Sequence, residues 1–108
     1  MQIKIKGRQV AEDLFAVETA IDNALALAGR LTGTMTAARL DTNLSATVGQ
    51  DAFDGLSDAM TALTTARRNI VHTHNGLAVV KDQVGLRTVN LGGVIKPPFG
   101  MEIAENAA

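Results

Sequence analysis

Apolar and small side chains recur every three or four positions through two long stretches of the chain. In the first stretch the spacings alternate between four and three residues without a miss (Val10, Leu14, Val17, Ile21, Ala24, Ala28, Leu31, Met35 and Ala38). This spacing places every one of these side chains on one stripe of an α-helix, as in a coiled coil. We therefore predict a first helix over residues 8–48.

A second stretch repeats the same alternation (Ala52, Leu56, Ala59, Leu63, Ala66, Ile70, Thr73, Leu77, Val80 and Val84). Asp51 and Asp54 stand three residues apart before it, which is an acidic variant of a capping box. Gly49 is placed to end the first helix, and Gly85 to end the second. The pattern predicts a second helix over residues 51–86.

Weak helix formers interrupt the first stretch. Gly29, Gly33 and the segment "TGTMT" (32–36) all lower helix propensity. The apolar spacing nevertheless continues through them, so we predict one continuous helix. The interpretation that we favour for the two glycines is close packing against another helix, and the alternative is a functional hinge.

The short connection between the two helices predicts an antiparallel hairpin. Each helix is acidic in its first half and basic later, which suits the helix dipole. Folding the chain back therefore places opposite charges beside each other. The expected neighbours are Arg39 with Asp58, Glu18 with Lys81, and Asp22 with His74.

A hairpin of this kind buries only one stripe of each helix. Further apolar side chains lie off that stripe, and we predict that they form an interaction surface (Phe15, Leu25, Leu27, Leu40, Leu44, Phe53 and Met60). A second copy of the chain would cover them by symmetry. The predicted fold is an all-α antiparallel hairpin that forms a homodimeric four-helix bundle. A monomer covered by its own termini and a complex with a different protein are the alternatives.

The two ends of the chain have a different pattern. Polar and apolar residues alternate in "QIKIK" (2–6) and again within residues 87–95, which is typical of short extended segments. We predict that residues 1–7 form an extended arm, and that residues 87–108 form an extended arm and a mobile tail. With 108 residues, the chain is predicted to be a single domain.

Composition narrows the classes of function. The chain has no Cys, which excludes disulfides and thiol nucleophiles. Its formal net charge of −1 favours neither nucleic acid nor an anionic membrane as a partner. We find no secretory signal and no apolar run long enough to span a membrane. The expectation is a cytoplasmic protein.

Both histidines lie in the second helix, within "HTHNG" (72–76). Residues two apart on a helix point in nearly opposite directions, so His72 and His74 are not expected to bind one metal ion. The spacing of His72 and Gly76 resembles histidine phosphotransfer domains, which are helical bundles with an exposed histidine four residues before a glycine. The resemblance implies that His72 is a phospho-acceptor, although Asn75 stands where those domains have a basic residue. The alternative is that His72 is a solvated helix residue.

No other grouping of side chains predicts catalysis, a metal site or a cofactor. We therefore expect a non-enzymatic structural or protein-interaction module, such as an assembly component, an adaptor or a small chaperone. It would act as a homodimer and could bind a further protein partner. The alternative is a phosphorelay protein that uses His72.

Overall fold

The computed structural model describes residues 2–85, and this part of the chain is helical apart from the turn at residues 43–49 and its last two residues. Helix α1 spans Gln2–Thr42 and helix α2 spans Gln50–Gln83. The two helices pack as an antiparallel hairpin, and the described range contains no strand. The predicted all-α hairpin is thereby confirmed. The predicted C-terminal arm, residues 87–108, lies outside the described residues.

The N-terminal arm predicted over residues 1–7 is wrong for the residues that the structure describes. Residues 2–7 form the first turns of α1. Ile3 stands seven residues before Val10, so it continues the helical spacing toward the N-terminus. The alternation in "QIKIK" fits both a strand and a helix, and continuity with a long helix decides between them because extending a helix is easier than starting one.

Helix α1 ends at Thr42, six residues before the predicted end at residue 48. Asn43 has a φ of 59°, and its N–H donates to the carbonyl of Leu40 at 3.3 Å. The N–H of Leu44 donates to the carbonyl of Arg39 at 3.4 Å. These two bonds form a Schellman motif, and asparagine tolerates the left-handed conformation that the motif requires.

Gly49 caps the start of α2. It has a φ of 85°, and its carbonyl accepts hydrogen bonds from the N–H groups of Ala52 and Phe53 at 3.0 and 3.2 Å. The side chain of Asp54 accepts a hydrogen bond from the Gln50 amide at 2.9 Å, in place of the predicted capping box. At the far end, Gly85 has a φ of 78° just after α2, which confirms it as the predicted stop.

The side chain of Arg39 closes the turn between the helices. Its guanidinium donates to the carbonyls of Ser45 at 2.6 Å and Val48 at 3.1 Å. The same group lies 5.9 Å from the centre of the Phe53 ring. One cation from α1 thus satisfies two turn carbonyls and contacts the first turn of α2.

The threonines of "TGTMT" are accommodated within the helix. The hydroxyls of Thr32, Thr34 and Thr36 each donate to the carbonyl four residues earlier, at 3.0, 3.1 and 2.8 Å. These bonds satisfy the hydroxyls without leaving the helical conformation. The prediction of one continuous first helix is confirmed.

Gly29 and Gly33 of α1 are not sites of close packing within the described part of the chain. A Cβ atom built on Gly29 or on Gly33 would meet no other atom within 4 Å. The predicted contact with another helix is therefore absent between α1 and α2. Both positions have room for a side chain.

Replacing Gly29 or Gly33 by alanine is expected to stabilise the protein. Each change should raise the free energy of unfolding by about 0.5–1 kcal/mol, because glycine loses more backbone entropy in a helix than alanine does. Urea denaturation at a fixed protein concentration measures the difference. Gly49→Ala is the control, and it should lower stability because Gly49 has a positive φ. A loss of stability at Gly29 or Gly33 would contradict the open space around them.

Packing between the helices divides into two units. The first is Met1–Glu18 with Asn69–Ala108, of which the structure describes residues 2–18 and 69–85. It contains two buried side chains, Ala11 and Leu14, each 5% exposed. Four half-buried side chains pack against them (Phe15, Ile70, Leu77 and Ala78).

The second unit is Thr19–Arg68, which includes the turn. None of its residues is fully buried. Its apolar contacts are instead made by half-buried side chains from both helices (Ile21, Leu25, Ala28 and Met35 of α1; Phe53, Leu56, Met60 and Leu63 of α2). The core of the described chain is therefore very small.

The contact between the helices is rotated relative to the predicted stripe. Every second residue of the stripe is in the contact (Leu14, Ile21, Ala28 and Met35; Leu56, Leu63, Ile70 and Leu77). At most of the alternate positions, the next residue along the chain makes the contact instead. Phe53 and Met60 replace Ala52 and Ala59, for example, which encloses larger apolar side chains. The residues of the predicted stripe that lie outside this contact are exposed, except Ala24 and Ala66, which are half-buried.

Candidate interaction surface and the histidine pair

Beside the helix contact a regular row of residues follows each helix, and all of them except Ala24 and Ala66 are exposed. They recur at every seventh position (Ile3, Val10, Val17, Ala24, Leu31 and Ala38 on α1; Ala52, Ala59, Ala66, Thr73 and Val80 on α2). We call these eleven residues the outer stripe. Seven residues are almost two helical turns, so each row follows one side of its helix.

Apart from Thr73 the outer stripe consists of apolar residues, and nine of its eleven residues are exposed. Its five large side chains (Ile3, Val10, Val17, Leu31 and Val80) are between 42% and 52% exposed. Although 19% of the chain is charged, none of the eleven positions holds a charged residue. A helix surface in contact with water normally carries charged residues, so this row is unusually apolar for an exposed surface.

Within each unit the outer-stripe residues of both helices lie on the same side of the helix pair. This follows from antiparallel packing, in which equivalent heptad positions flank the same edge of the contact. In the first unit this side carries Ile3, Val10 and Val17 of α1 together with Thr73 and Val80 of α2. In the second unit it combines Ala24, Leu31 and Ala38 with Ala52, Ala59 and Ala66.

In the second unit the opposite side of the helix pair is more polar. Arg67 Nε donates there to Asp22 Oδ1 at 2.9 Å, and both side chains are more than half exposed. An exposed pair of this kind contributes only about 0.2–1 kcal/mol. The second unit therefore has one side suited to water and one side suited to an apolar neighbour.

The seven residues of the predicted interaction surface differ in exposure. Phe15, Leu25, Phe53 and Met60 are half-buried beside the contact between α1 and α2. Leu27, Leu40 and Leu44 are exposed, with Leu40 the most exposed at 74%. The role of this surface stays a prediction, but four of its members already have intramolecular neighbours.

An open cleft of about 460 Å³ lies in the second unit. Its apolar lining comes from Phe53, Leu56 and Met60, and its polar lining is made of hydroxyls (Thr32, Ser57, Thr61 and Thr64). The side chains around the cleft include no charged residue and no histidine. The cleft thus has no group suited to acid–base or metal chemistry.

His74 forms a half-buried pair with Glu18 in the first unit. Its Nδ1 lies 2.8 Å from Glu18 Oε2, and the two side chains are 13% and 17% exposed. The other ring nitrogen, Nε2, is buried without a hydrogen-bond partner. The pair occupies the helix contact at positions where apolar residues would pack, so it lowers the apolar area of an already small core.

The pairing of charges differs from the predicted register. Glu18, rather than Asp22, contacts His74, and Asp22 instead contacts Arg67. The cause is the end of α1 at Thr42, which moves the turn toward the N-terminus and shifts the facing residues of the two helices. Residue type indicated that these side chains form pairs, whereas the position of the turn decides which pairs form.

His72 lies on the exposed surface of α2. Gly76, one turn later, has open space around it. An accessible imidazole is necessary for phosphotransfer but is also typical of any solvated helix residue. The phosphorelay function of His72 stays a prediction.

Sequence reasoning missed two features. It placed Val10, Val17, Leu31 and Val80 inside the hairpin. The recurrence of apolar residues at intervals of seven could instead have indicated a second contact surface. It also did not predict the pair formed by Glu18 and His74. The available signal was that both are polar residues within long apolar segments.

Within residues 2–85 no three His, Asp or Glu side chains lie close enough together to hold a metal ion. No helix in the same range has the length and apolar character needed to cross a membrane. Neither finding adds a chemical function to the surface described above. No protein-family model, curated protein or solved structure matches the chain.

Proposed function

We propose that the protein is a non-enzymatic structural or protein-interaction module that works as a homodimeric four-helix bundle. The observation that carries this proposal is the outer stripe, an uncharged and mostly apolar row of which nine of eleven residues are exposed. A second copy brings an identical surface, and two such surfaces cover each other. A dimer of hairpins provides the four helices of the bundle.

The small core supports this proposal. Among the described residues, only Ala11 and Leu14 are buried. Burying one leucine side chain contributes roughly 1.5–3 kcal/mol, whereas fixing the backbone of one residue costs roughly 1–2 kcal/mol. Two long helices held by two buried residues need further apolar contacts to be stable. The dimer supplies these contacts along both helices.

The position of the apolar residues around each helix also supports a bundle. In a two-helix hairpin the apolar stripe is expected to centre on the line that faces the other helix. Here the regular stripe is shared between that line and the outer stripe beside it. A helix with two apolar neighbours needs this wider stripe, and each helix of a four-helix bundle has two such neighbours.

The apolar residues near the turn give the module a surface for another protein. Leu40, Leu44 and Val48 are exposed there, and they do not belong to the outer stripe. They therefore remain available when two copies pair through that stripe. An assembly component, an adaptor or a small chaperone would use an apolar surface of this kind to bind a partner.

Analytical ultracentrifugation over a range of protein concentrations tests the proposal. We expect a species with twice the chain mass of 11.3 kDa at micromolar concentrations and above. The helical signal in circular dichroism should fall on dilution to the same extent as the dimer, because assembly and stability are linked. A stable, fully helical monomer at every concentration would overturn the proposal.

A further inference from the structure

We propose that the protein also assembles head to tail, with the first two turns of α1 in one copy bound to the turn between the helices of another copy. The first surface, residues 2–8, is basic and apolar, and we call it the basic turns. The second surface, residues 40–54, is acidic and apolar, and we call it the acidic turn. This inference rests on the proposed function, because it names another copy of the chain as the partner of the apolar surface near the turn.

The basic turns carry three exposed cations and no anion (Lys4, Lys6 and Arg8). Within the described residues none of the three forms an ion pair. Ile3 and Ile5 lie among them and are 52% and 56% exposed. Ile3 belongs to the outer stripe, so Ile5 is the apolar side chain that stays available for a further contact.

The charge of the basic turns is unfavourable for α1 itself. The helix begins at Gln2 and has no acidic residue in its first turn. The positive end of the helix dipole lies at the N-terminal end, where carboxylates are stabilising and cations are destabilising. A helix that began at residue 8, as the sequence pattern predicts, would exclude Lys4 and Lys6, so the structure reveals this mismatch. A negatively charged neighbour would offset it.

The acidic turn has the opposite charge. It contains three exposed aspartates and no cation, and none of the aspartates forms an ion pair within the described residues (Asp41, Asp51 and Asp54). Arg39 is the only cation in residues 31–66, and its guanidinium already binds two carbonyls of the turn. Asp41 lies in the last turn of α1, where the dipole favours a cation. The acidic turn therefore carries negative charge that its own surroundings leave unpaired.

Three large apolar side chains lie among these aspartates. Leu40, Leu44 and Val48 are 74%, 49% and 47% exposed. The N–H of Leu44 donates to the carbonyl of Arg39 at 3.4 Å, and Arg39 Nε donates to the carbonyl of Val48 at 3.1 Å. These bonds fix Leu44 and Val48 beside the last turn of α1, which carries Leu40. The apolar part of the surface is thus formed before a partner binds, which lowers the entropy lost on binding.

The basic turns and the acidic turn match in both charge and hydrophobicity. Three cations face three carboxylates, and Ile5 has an apolar surface to cover. Opposite charges speed the encounter and exclude wrong pairings, while the apolar contact provides attraction. Two basic turns, or two acidic turns, would repel each other, so the contact joins different surfaces of two copies. Contacts of this kind build rings or filaments, so assembly continues beyond the dimer.

Sedimentation and light scattering of the full chain between about 10 μM and about 1 mM test the inference. At an ionic strength of about 0.01 M we expect the mass to rise above that of the dimer. At about 1 M it should stay at the dimer, because the Debye length falls from about 30 Å to about 3 Å. The apolar contact along the outer stripe does not depend on charge, so salt separates the two contacts.

Reversing the charge of either surface should stop growth at the dimer. One variant carries Lys4→Glu and Lys6→Glu, and the other carries Asp41→Lys and Asp54→Lys. A 1:1 mixture should grow again, because the basic turns of the second variant bind the acidic turn of the first. Circular dichroism checks that each variant is as helical as the natural protein. The lysine variant is expected to pass, since glutamate suits the start of a helix.

A matched control changes the same number of charges elsewhere. Arg30→Glu with Arg68→Glu reverses two exposed cations that belong to neither surface, and this variant should grow like the natural protein. Leu40→Ser tests the apolar part of the contact. It should weaken growth by about tenfold while leaving the dimer intact, because Leu40 lies outside the outer stripe.

Each outcome bears on the head-to-tail contact. Growth at low salt that both charge reversals abolish and their mixture restores supports the inference. A dimer of constant mass at low salt, growth that either reversal retains, or a mixture that stays dimeric overturns it and leaves the proposed function intact. Loss of growth in the Arg30 and Arg68 control overturns it as well, because net charge would then drive assembly. Monomers that grow at low salt support the inference and overturn the proposed dimer.

Discussion

Val80→Glu is expected to separate the dimer into monomers. Val80 lies in the outer stripe and is 48% exposed in the hairpin, so a glutamate there has access to water in the monomer. In the dimer the same carboxylate would be enclosed by apolar residues of the partner. Burying an unpaired charge costs several kcal/mol, and two-fold symmetry buries two of them. We expect the dissociation constant to rise by at least about a hundredfold, measured by analytical ultracentrifugation.

Val79→Glu is a closely matched control. Val79 is the adjacent residue of the same type and is 56% exposed, but it does not belong to the outer stripe. The two variants have the same composition, charge and helix propensity, so any difference between them reports the side of α2 that is covered. Equal dissociation in both variants, or none in either, would contradict the assignment of the interface to the outer stripe.

Replacing both Glu18 and His74 by leucine is expected to stabilise the protein. The pair lies in the helix contact, and His74 Nε2 is buried without a partner. An unsatisfied buried polar atom costs about 1–3 kcal/mol, and exchanging a buried ion pair for packed apolar residues is often stabilising. We expect the free energy of unfolding to rise by about 1–3 kcal/mol, measured by urea denaturation at a fixed protein concentration.

The single change Glu18→Ala should have the opposite effect. It removes the hydrogen-bond acceptor from Nδ1 of His74 and leaves the imidazole half-buried without that partner. The expected loss is about 1–3 kcal/mol. A double leucine variant that is less stable than the natural protein would show that the pair itself stabilises the hairpin. It would also show that the unpartnered Nε2 has little cost.

Much of the fold was predictable from the sequence because it depends on local spacing. Apolar residues at intervals of three and four indicate a helix where this pattern continues over many residues. Two such segments with a short connection form a hairpin. The same spacing did not define the boundaries. Asn43 ends α1 through a hydrogen-bonding motif that any of several polar residues near the turn could have provided.

The interaction surface was only partly predictable. An alternation of four and three identifies a stripe on the helix, but the stripe contains two overlapping rows, and either row can face the other helix. The structure selects the row that brings Phe53 and Met60 into contact, since larger side chains enclose more apolar area than the alanines beside them. This choice leaves Val10, Val17 and Leu31 on the surface.

The sequence by itself determined the two helices, their antiparallel order and the absence of charge along one stripe. These properties follow from residue type and from distances of a few positions along the chain. Only the tertiary structure decided the register of the helices, the partner of His74 and the side that stays uncovered. Each of these depends on where the turn falls and on which side chains fill the space between α1 and α2, and such contacts join residues that are far apart in the chain.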